Sequence, residues 1–143
     1  MKITILIVLM LFLCGIAIGQ QLGRQPQVLR PGTVSGEILI KEVSGNHIGN
    51  FSCSNLTATV SKLGGGWQRK ATATGSFAGR RCSFRITNVP AAEQFVAVLT
   101  ADFPNGCDQK NFETTTSFPM EIKSREQLKY NFIVSKIRCV LVK

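Results

Sequence analysis

The chain is 143 residues long and 44% hydrophobic, with 17 Lys and Arg against 8 Asp and Glu and a formal net charge of +9. That length holds one domain with a sizeable core and excludes two. The basic balance favours anionic partners such as polysaccharides, lipid head groups or nucleic acid, and bears on solubility and association rather than on fold.

The first stretch, MKITILIVLMLFLCGIAIGQQ, carries Lys2 as its only charge, an apolar run from Ile3 to Ile18, and Ala17 and Gly19 spaced as a small-residue cleavage site. This pattern predicts a secretory signal peptide over 1–19. The apolar run is shorter than the roughly 20 residues of a comfortable membrane span, so an uncleaved anchor is not expected. Leu13 before Cys14 is too bulky for a lipid-attachment site. Cleavage after Gly19 leaves 124 residues with 16 basic and 8 acidic side chains, no transmembrane span, and a new terminal Gln20 that should cyclise to pyroglutamate. The expected destination is secreted, periplasmic or at the cell surface.

Four cysteines remain after that cleavage: Cys53, Cys82, Cys107 and Cys139. An even count in an exported chain predicts two disulfides, with three connectivities open. No Cys-x-x-Cys pair is present, which argues against a zinc site or a thioredoxin-type redox pair.

Residues 20–32, QQLGRQPQVLRPG, are polar and broken by proline and glycine, as a flexible spacer should be. The folded domain is expected over 33–143. TVSGEILIKEV predicts a first strand and LTATVSKL a second, separated by the Gly/Asn/Ser-rich loop SGNHIGNFSCSN. After Gly64-Gly65-Gly66, WQRKATATGSF reads as a third. In CSFRIT the residues Cys82, Phe84 and Ile86 point one way and Ser83, Arg85 and Thr87 the other, which is a fourth strand with one core face. Pro90 forces a turn over 88–94 before FVAVLTADF, apolar on both faces, forms a central fifth strand. FETTTSFPMEIK is expected as a sixth, on an edge because of Pro119. LKYNFIVSKIRCVLV is the seventh, with Leu128, Tyr130, Phe132 and Val134 on one face. Ser124-Arg125-Glu126-Gln127 matches a helix capping box, but the β-branched and aromatic residues after it favour a turn into a strand. Seven short strands with turn signals between them predict an all-β sandwich.

Residues 84–98, FRITNVPAAEQFVAV, resemble the signature of carboxypeptidase regulatory-like domains and the related collagen-adhesin B-type repeats, and MEIKSREQLKYNFIV and VSGEILI extend the likeness over roughly 33–143. The resemblance implies a seven-stranded prealbumin-like (Ig-like) sandwich, stapled here by disulfides, that binds, spaces or adheres without catalysis. It also implies that the second strand lies antiparallel to the fifth, and with it the pairings Cys53 with Cys107 and Cys82 with Cys139. Ala92-Glu93 departs from the pattern, standing where those domains carry a turn glycine.

No chemistry-bearing constellation competes with that reading. His47, in a Gly/Asn loop, is the only histidine and has no nucleophile signature to serve. Glu113, Glu121 and Glu126 are expected as solvated partners of nearby cations, not as a glycosidase pair. Asp102, Asn105 and Asp108 offer too few oxygens for calcium, and a β-turn on Pro104-Asn105-Gly106 accounts for them, so no metal or cofactor is expected. Gly64-Gly65-Gly66 has no Gly-Lys-Ser/Thr after it and is no phosphate cradle. Asn50 and Asn55 head N-glycosylation triplets that would be idle in a bacterial envelope.

The basic residues are the remaining candidates. Trp67, Arg69 and Lys70 on the third strand and Arg80, Arg81 and Arg85 around the fourth would form a basic-aromatic ligand surface if those strands were neighbours, and would otherwise protect an edge. The expected function is a secreted, non-catalytic binding or structural module of the cell envelope, of adhesion or scaffold type. Its partner would be a protein or an anionic polysaccharide, with nucleic acid not expected. A lectin-like binder of anionic glycans and a small secreted hydrolase inhibitor are the alternatives.

Overall fold

A computed structural model describes residues 26–46 and 48–140. The leader expected over 1–19, residues 20–25 of the spacer, and His47 lie outside the described residues. Among the described residues no helix is long and apolar enough to cross a membrane.

Among the described residues ten strand segments form two sheets: β1 (Gly32–Ser44), β2 (Leu56–Lys62), β3 (Gln68–Thr72), β4 (Thr74–Ser76), β5 (Arg81–Val89), β6 (Gln94–Ala101), β7 (Cys107–Asp108), β8 (Met120–Glu121), β9 (Gln127–Lys129) and β10 (Phe132–Cys139). The larger sheet runs β4-β5-β1-β10-β7, with β9 also on β1, and the smaller runs β3-β2-β6-β8. Both β9 and β10 lie parallel to β1, and the other pairings are antiparallel. The all-β sandwich expected from the strand pattern is therefore present, with its core between the sheets.

Period-two alternation places that core. In β5, Cys82, Phe84, Ile86 and Val89 are buried while Arg81, Ser83, Arg85 and Thr87 face water. From the opposite sheet come Leu56, Ala58 and Val60 of β2 and Phe95, Ala97 and Leu99 of β6. Phe95 and Phe132 have no exposed surface, and each such side chain contributes about 1.5–3 kcal/mol through removal from water.

Three expected strands take a different form. The third divides at Ala73, which is 1% exposed and donates its N–H to the Leu56 carbonyl at 2.8 Å. Before it, β3 pairs with β2 in the smaller sheet, and after it β4 pairs with β5 in the larger one. The sixth is mostly not a strand. Glu113 and Thr115 bond to β10, then Ser117 exchanges bonds with Ala97, and only Met120 and Glu121 form a ladder, against β6. It thus runs along one edge of each sheet, and Pro119 falls where no donor is needed. The seventh divides into β9 and β10 at Tyr130-Asn131. There Tyr130 donates its N–H to the Ser35 carbonyl at 3.0 Å and the Asn131 Oδ1 accepts from the Glu37 N–H at 2.9 Å. The chain turns at 123–126 instead of entering a helix, the Glu126 N–H bonding the Lys123 carbonyl at 3.0 Å. A turn likewise closes on Pro104, whose carbonyl accepts from the Cys107 N–H at 3.0 Å.

The disulfides join Cys53 to Cys82 and Cys107 to Cys139, correcting the expected Cys53–Cys107 and Cys82–Cys139 pairing. The second and fifth expected strands do pair antiparallel, as β2 with β6. The error lies in the six residues after Ala101, which can span about 20 Å and carry Cys107 across to the larger sheet. There it faces Cys139 directly in the β7–β10 ladder. Cys53, at the head of β2, instead reaches across the sandwich to Cys82 on β5, with the two Cα atoms 5.6 Å apart.

At the turn between β5 and β6, Ala92 occupies a left-handed conformation with φ of 59° and donates its N–H to the Ile122 carbonyl at 2.9 Å. That backbone suits glycine, and an L-residue in it costs about 1–2 kcal/mol. Ala92→Gly should stabilise the protein by about 0.5–1 kcal/mol once the added freedom of the unfolded glycine is subtracted. Thermal unfolding would register a rise of a few degrees, and a lowered midpoint would contradict the assignment.

Candidate functional site

The fold separates the basic-aromatic group. Strand β5 is nine residues long, about 27 Å at roughly 3.3 Å per residue, and Arg80 and Arg81 stand at its start. Trp67 stands beyond its end, where its indole N–H donates to the Glu93 carboxylate and its ring lies 6.0 Å from that of Phe95. The Lys62 ammonium adds a 3.5 Å ion pair to Glu93. Trp67 is therefore committed to an acid of its own chain and does not share a surface with Arg80 and Arg81. The third and fourth expected strands share a ladder only through β4, and β3, which carries the exposed Arg69 and Lys70, is the edge strand of the other sheet.

The indole hydrogen bond holds the Glu93 carboxyl below the usual carboxylate range, opposed by partial desolvation and aided by Lys62. A carboxyl lowered in this way stabilises the fold above its unfolded value near 4.5 and ceases to do so as pH falls through the lower folded value. Trp67 is the only tryptophan, so its emission should shift on acidification with a midpoint below that of an ordinary glutamate. In Glu93→Gln the shift should vanish, and its persistence there would show that another group is responsible.

Of the rest of the basic set, Arg81 and Arg85 lie on the outer face of the larger sheet. Arg85 of β5 pairs with Ser35 of β1, which pairs on its other side with Lys129 of β9, so three adjacent strands carry cation, hydroxyl and cation in one row. With strands about 4.8 Å apart, the two cations are rooted about 10 Å from each other. Arg81 lies four residues before Arg85 on the same face, opposite Leu39, and Glu37 is placed between the two rows opposite Ser83. The smaller sheet presents a different outer face: Thr57, Thr59 and Ser61 of β2 opposite Thr100, Val98 and Val96 of β6. Lys129 was not singled out by the sequence, because its row-mate Arg85 is 44 residues away in the chain and only the parallel β1–β9 register unites them.

A second feature lies at the Arg80 end. A pocket of about 470 Å³ is lined by Val43, Ile48, Phe51, Phe77, Ala78 and Arg80. Its walls are the end of β1 and two short 3-10 turns, Ile48–Asn50 and Phe77–Gly79. Phe51 is 2% exposed and stacks on Phe77 at 5.1 Å and on Phe103 at 5.8 Å. The Cys53–Cys82 bridge ties the segments bearing Phe51 and Phe77 together. Arg80 has a left-handed backbone, φ 55°, although Gly79 precedes it, a placement that costs on the order of 1 kcal/mol or more for a residue with a side chain. Its main chain bonds Phe77 at 2.9 Å and Ile40 at 3.1 Å, and its Nη1 donates to the Lys41 carbonyl at 3.1 Å. Sequence reasoning passed over Phe51 and Phe77, and the available signal was an aromatic residue inside each of two otherwise small and polar loops.

Asp108 caps the turn that follows it, its Oδ1 accepting from the Lys110 N–H at 2.8 Å. Among the described residues no three side chains of metal-ligating type come together. No family model, curated protein or solved structure matches this chain. The fold and its two surfaces therefore define the class reached here, a two-sheet β-sandwich stapled by two disulfides.

Proposed function

We propose that the chain is an exported, non-catalytic binding module of adhesion or scaffold type, acting at the cell envelope and engaging anionic polysaccharide through the outer face of its larger sheet. The observation that carries this reading is the row Arg85–Ser35–Lys129 with Arg81 beside it. Cations fixed on adjacent strands of a rigid sheet meet a polyanion without first paying the ordering entropy of a loop. Hydroxyls between them, from Ser35 and Ser83, and beside them, from Thr74, offer both donors and acceptors to sugar oxygens. Two disulfide cross-links suit an oxidising compartment, and the leader-like residues 1–19 suit export. The resemblance of residues 84–98 to regulatory-like and adhesin domains supports a module without its own catalysis.

The proposal is tested by titrating the mature chain with a sulfated polysaccharide over a range of NaCl concentrations. Binding should weaken steeply as salt rises, by release of condensed counterions, while a neutral dextran should not bind. Salt-independent binding, or equal binding of dextran, would contradict it.

A further inference from the structure

The pocket at the Arg80 end has no part in the polysaccharide face, and its chemistry is different. Its volume, about 470 Å³, falls in the roughly 300–1,000 Å³ range of sites that enclose small ligands. Among the described residues its walls are two phenylalanine rings and aliphatic side chains, with one cation and no acid. An apolar cavity with a single convergent charge is the usual form of a site that takes an apolar body by one polar end.

Two observations place that charge deliberately. Arg80 holds a left-handed backbone that the neighbouring Gly79 would adopt with less strain, so the turn is shaped to deliver an arginine to this position. One Nη1 donor is fixed on the Lys41 carbonyl, which orients the guanidinium. The other donors of its five-donor fork take no partner among the described residues, and that fork matches a carboxylate. The Cys53–Cys82 bridge keeps the phenylalanine-bearing segments in place without ligand.

We propose that this pocket binds a small anionic amphiphile: a carboxylate whose hydrocarbon or aromatic body lies against Phe51 and Phe77 while its oxygens take the Arg80 guanidinium. A neutral or cationic amphiphile of the same size would bury the same apolar area but gain no charge-assisted hydrogen bond from the guanidinium.

The test uses the mature chain with decanoate and phenylbutanoate as probes, which separate a chain-like from a ring-like body, and decanol and decyltrimethylammonium as uncharged and cationic counterparts. At least one carboxylate should bind with one-to-one stoichiometry, shifting the amide resonances of Ile48, Gly49, Ala78 and Gly79. The two counterparts should bind tenfold or more weakly. Arg80→Gly should lower carboxylate affinity by about tenfold to a hundredfold, the loss expected for a charge-assisted hydrogen bond, while leaving the melting temperature equal or higher because glycine relieves the left-handed backbone. Phe77→Ala should lower the affinity of all probes alike. Equal binding of decanol, or undiminished binding by Arg80→Gly, would overturn the proposal. So would binding that appears only after residues 141–143 are removed, which would assign the pocket to the chain's own end, or a Phe77-dependent dimer, which would assign it to a second copy. None of these outcomes depends on whether the sheet face binds polysaccharide.

Discussion

Replacing Cys53 and Cys82 together by alanine should cost the protein roughly 3.5 kcal/mol, the chain-entropy value for a loop of 29 residues, and more than the corresponding loss of Cys107 and Cys139. The two closed loops are of similar length, 29 and 32 residues, so the entropic contributions are nearly equal. The difference comes from position. Cys53 and Cys82 are 3% and 2% exposed and bridge one sheet to the other, so their truncation also leaves a void between the layers. Cys107 is only half-buried and its bridge runs within one sheet, beside a ladder that already joins β7 to β10. Against a typical total of about 5–15 kcal/mol, the first loss is a large fraction. Guanidinium unfolding of both double variants measures it. A loss under 1 kcal/mol for the Cys53/Cys82 pair, or the reverse order, would contradict the clasp between sheets.

Gly36→Ala should be as severe. A Cβ at this position would lie 1.8 Å from the Tyr130 carbonyl oxygen and 2.7 Å from its carbon, both of the backbone. The crowding arises because β9 and β10 pair with the same strand on either side of Tyr130-Asn131, and the carbonyl between them points at β1. Relief requires β1 to part from β9 or β10, and overpacking of that kind costs about 3 kcal/mol or more. Gly49→Ala is the matched control, since a Cβ there meets nothing within 4 Å, and its stability should be unchanged. A Gly36→Ala protein that melts with the wild type would refute the two-segment pairing on β1.

Much of this architecture is legible in the sequence where burial imposes a period. The alternation of β5 follows from CSFRIT residue by residue, and the doubly apolar FVAVLTADF is indeed interior to its sheet, as β6 between β2 and β8. The turns at Pro104-Asn105-Gly106 and 123–126 follow from residues that favour them. Periodicity carries no record of which sheet a strand joins. WQRKATATGSF keeps its alternation through Ala73 while changing sheets, so its division into β3 and β4 is invisible until Ala73 is found buried. The sixth stretch fails as a strand because Glu113 and Thr115 serve the edge of one sheet while Ser117, Met120 and Glu121 serve the edge of the other. The disulfide pairing that the resemblance implies follows from its strand arrangement and takes no account of the chain between Ala101 and Cys107, which crosses to the larger sheet.

The candidate sites divide in the same way. Arg81 and Arg85 are readable because they alternate with core residues on one strand, whereas Trp67 looked available for a ligand only until the turn residue Glu93 was placed against it. Lys129, Phe51, Phe77 and Arg80 acquire their roles from contacts between segments far apart in the chain. Such contacts depend on topology, and a single sequence does not display topology.

The most direct measurement of the proposed polysaccharide surface compares two variants that lose the same charge from different faces. Arg85→Ala/Lys129→Ala removes two cations from one row of the larger sheet, and Arg69→Ala/Lys70→Ala removes two from the exposed edge strand of the smaller one. Affinity for a sulfated polysaccharide is measured for both over a range of NaCl concentrations. The first variant should bind at least tenfold more weakly at low salt and with a slope of log affinity against log salt flattened by about one for each lost contact, while the second stays close to the wild type. Equal weakening of the two would show that net charge alone governs binding and would contradict a site on the larger sheet.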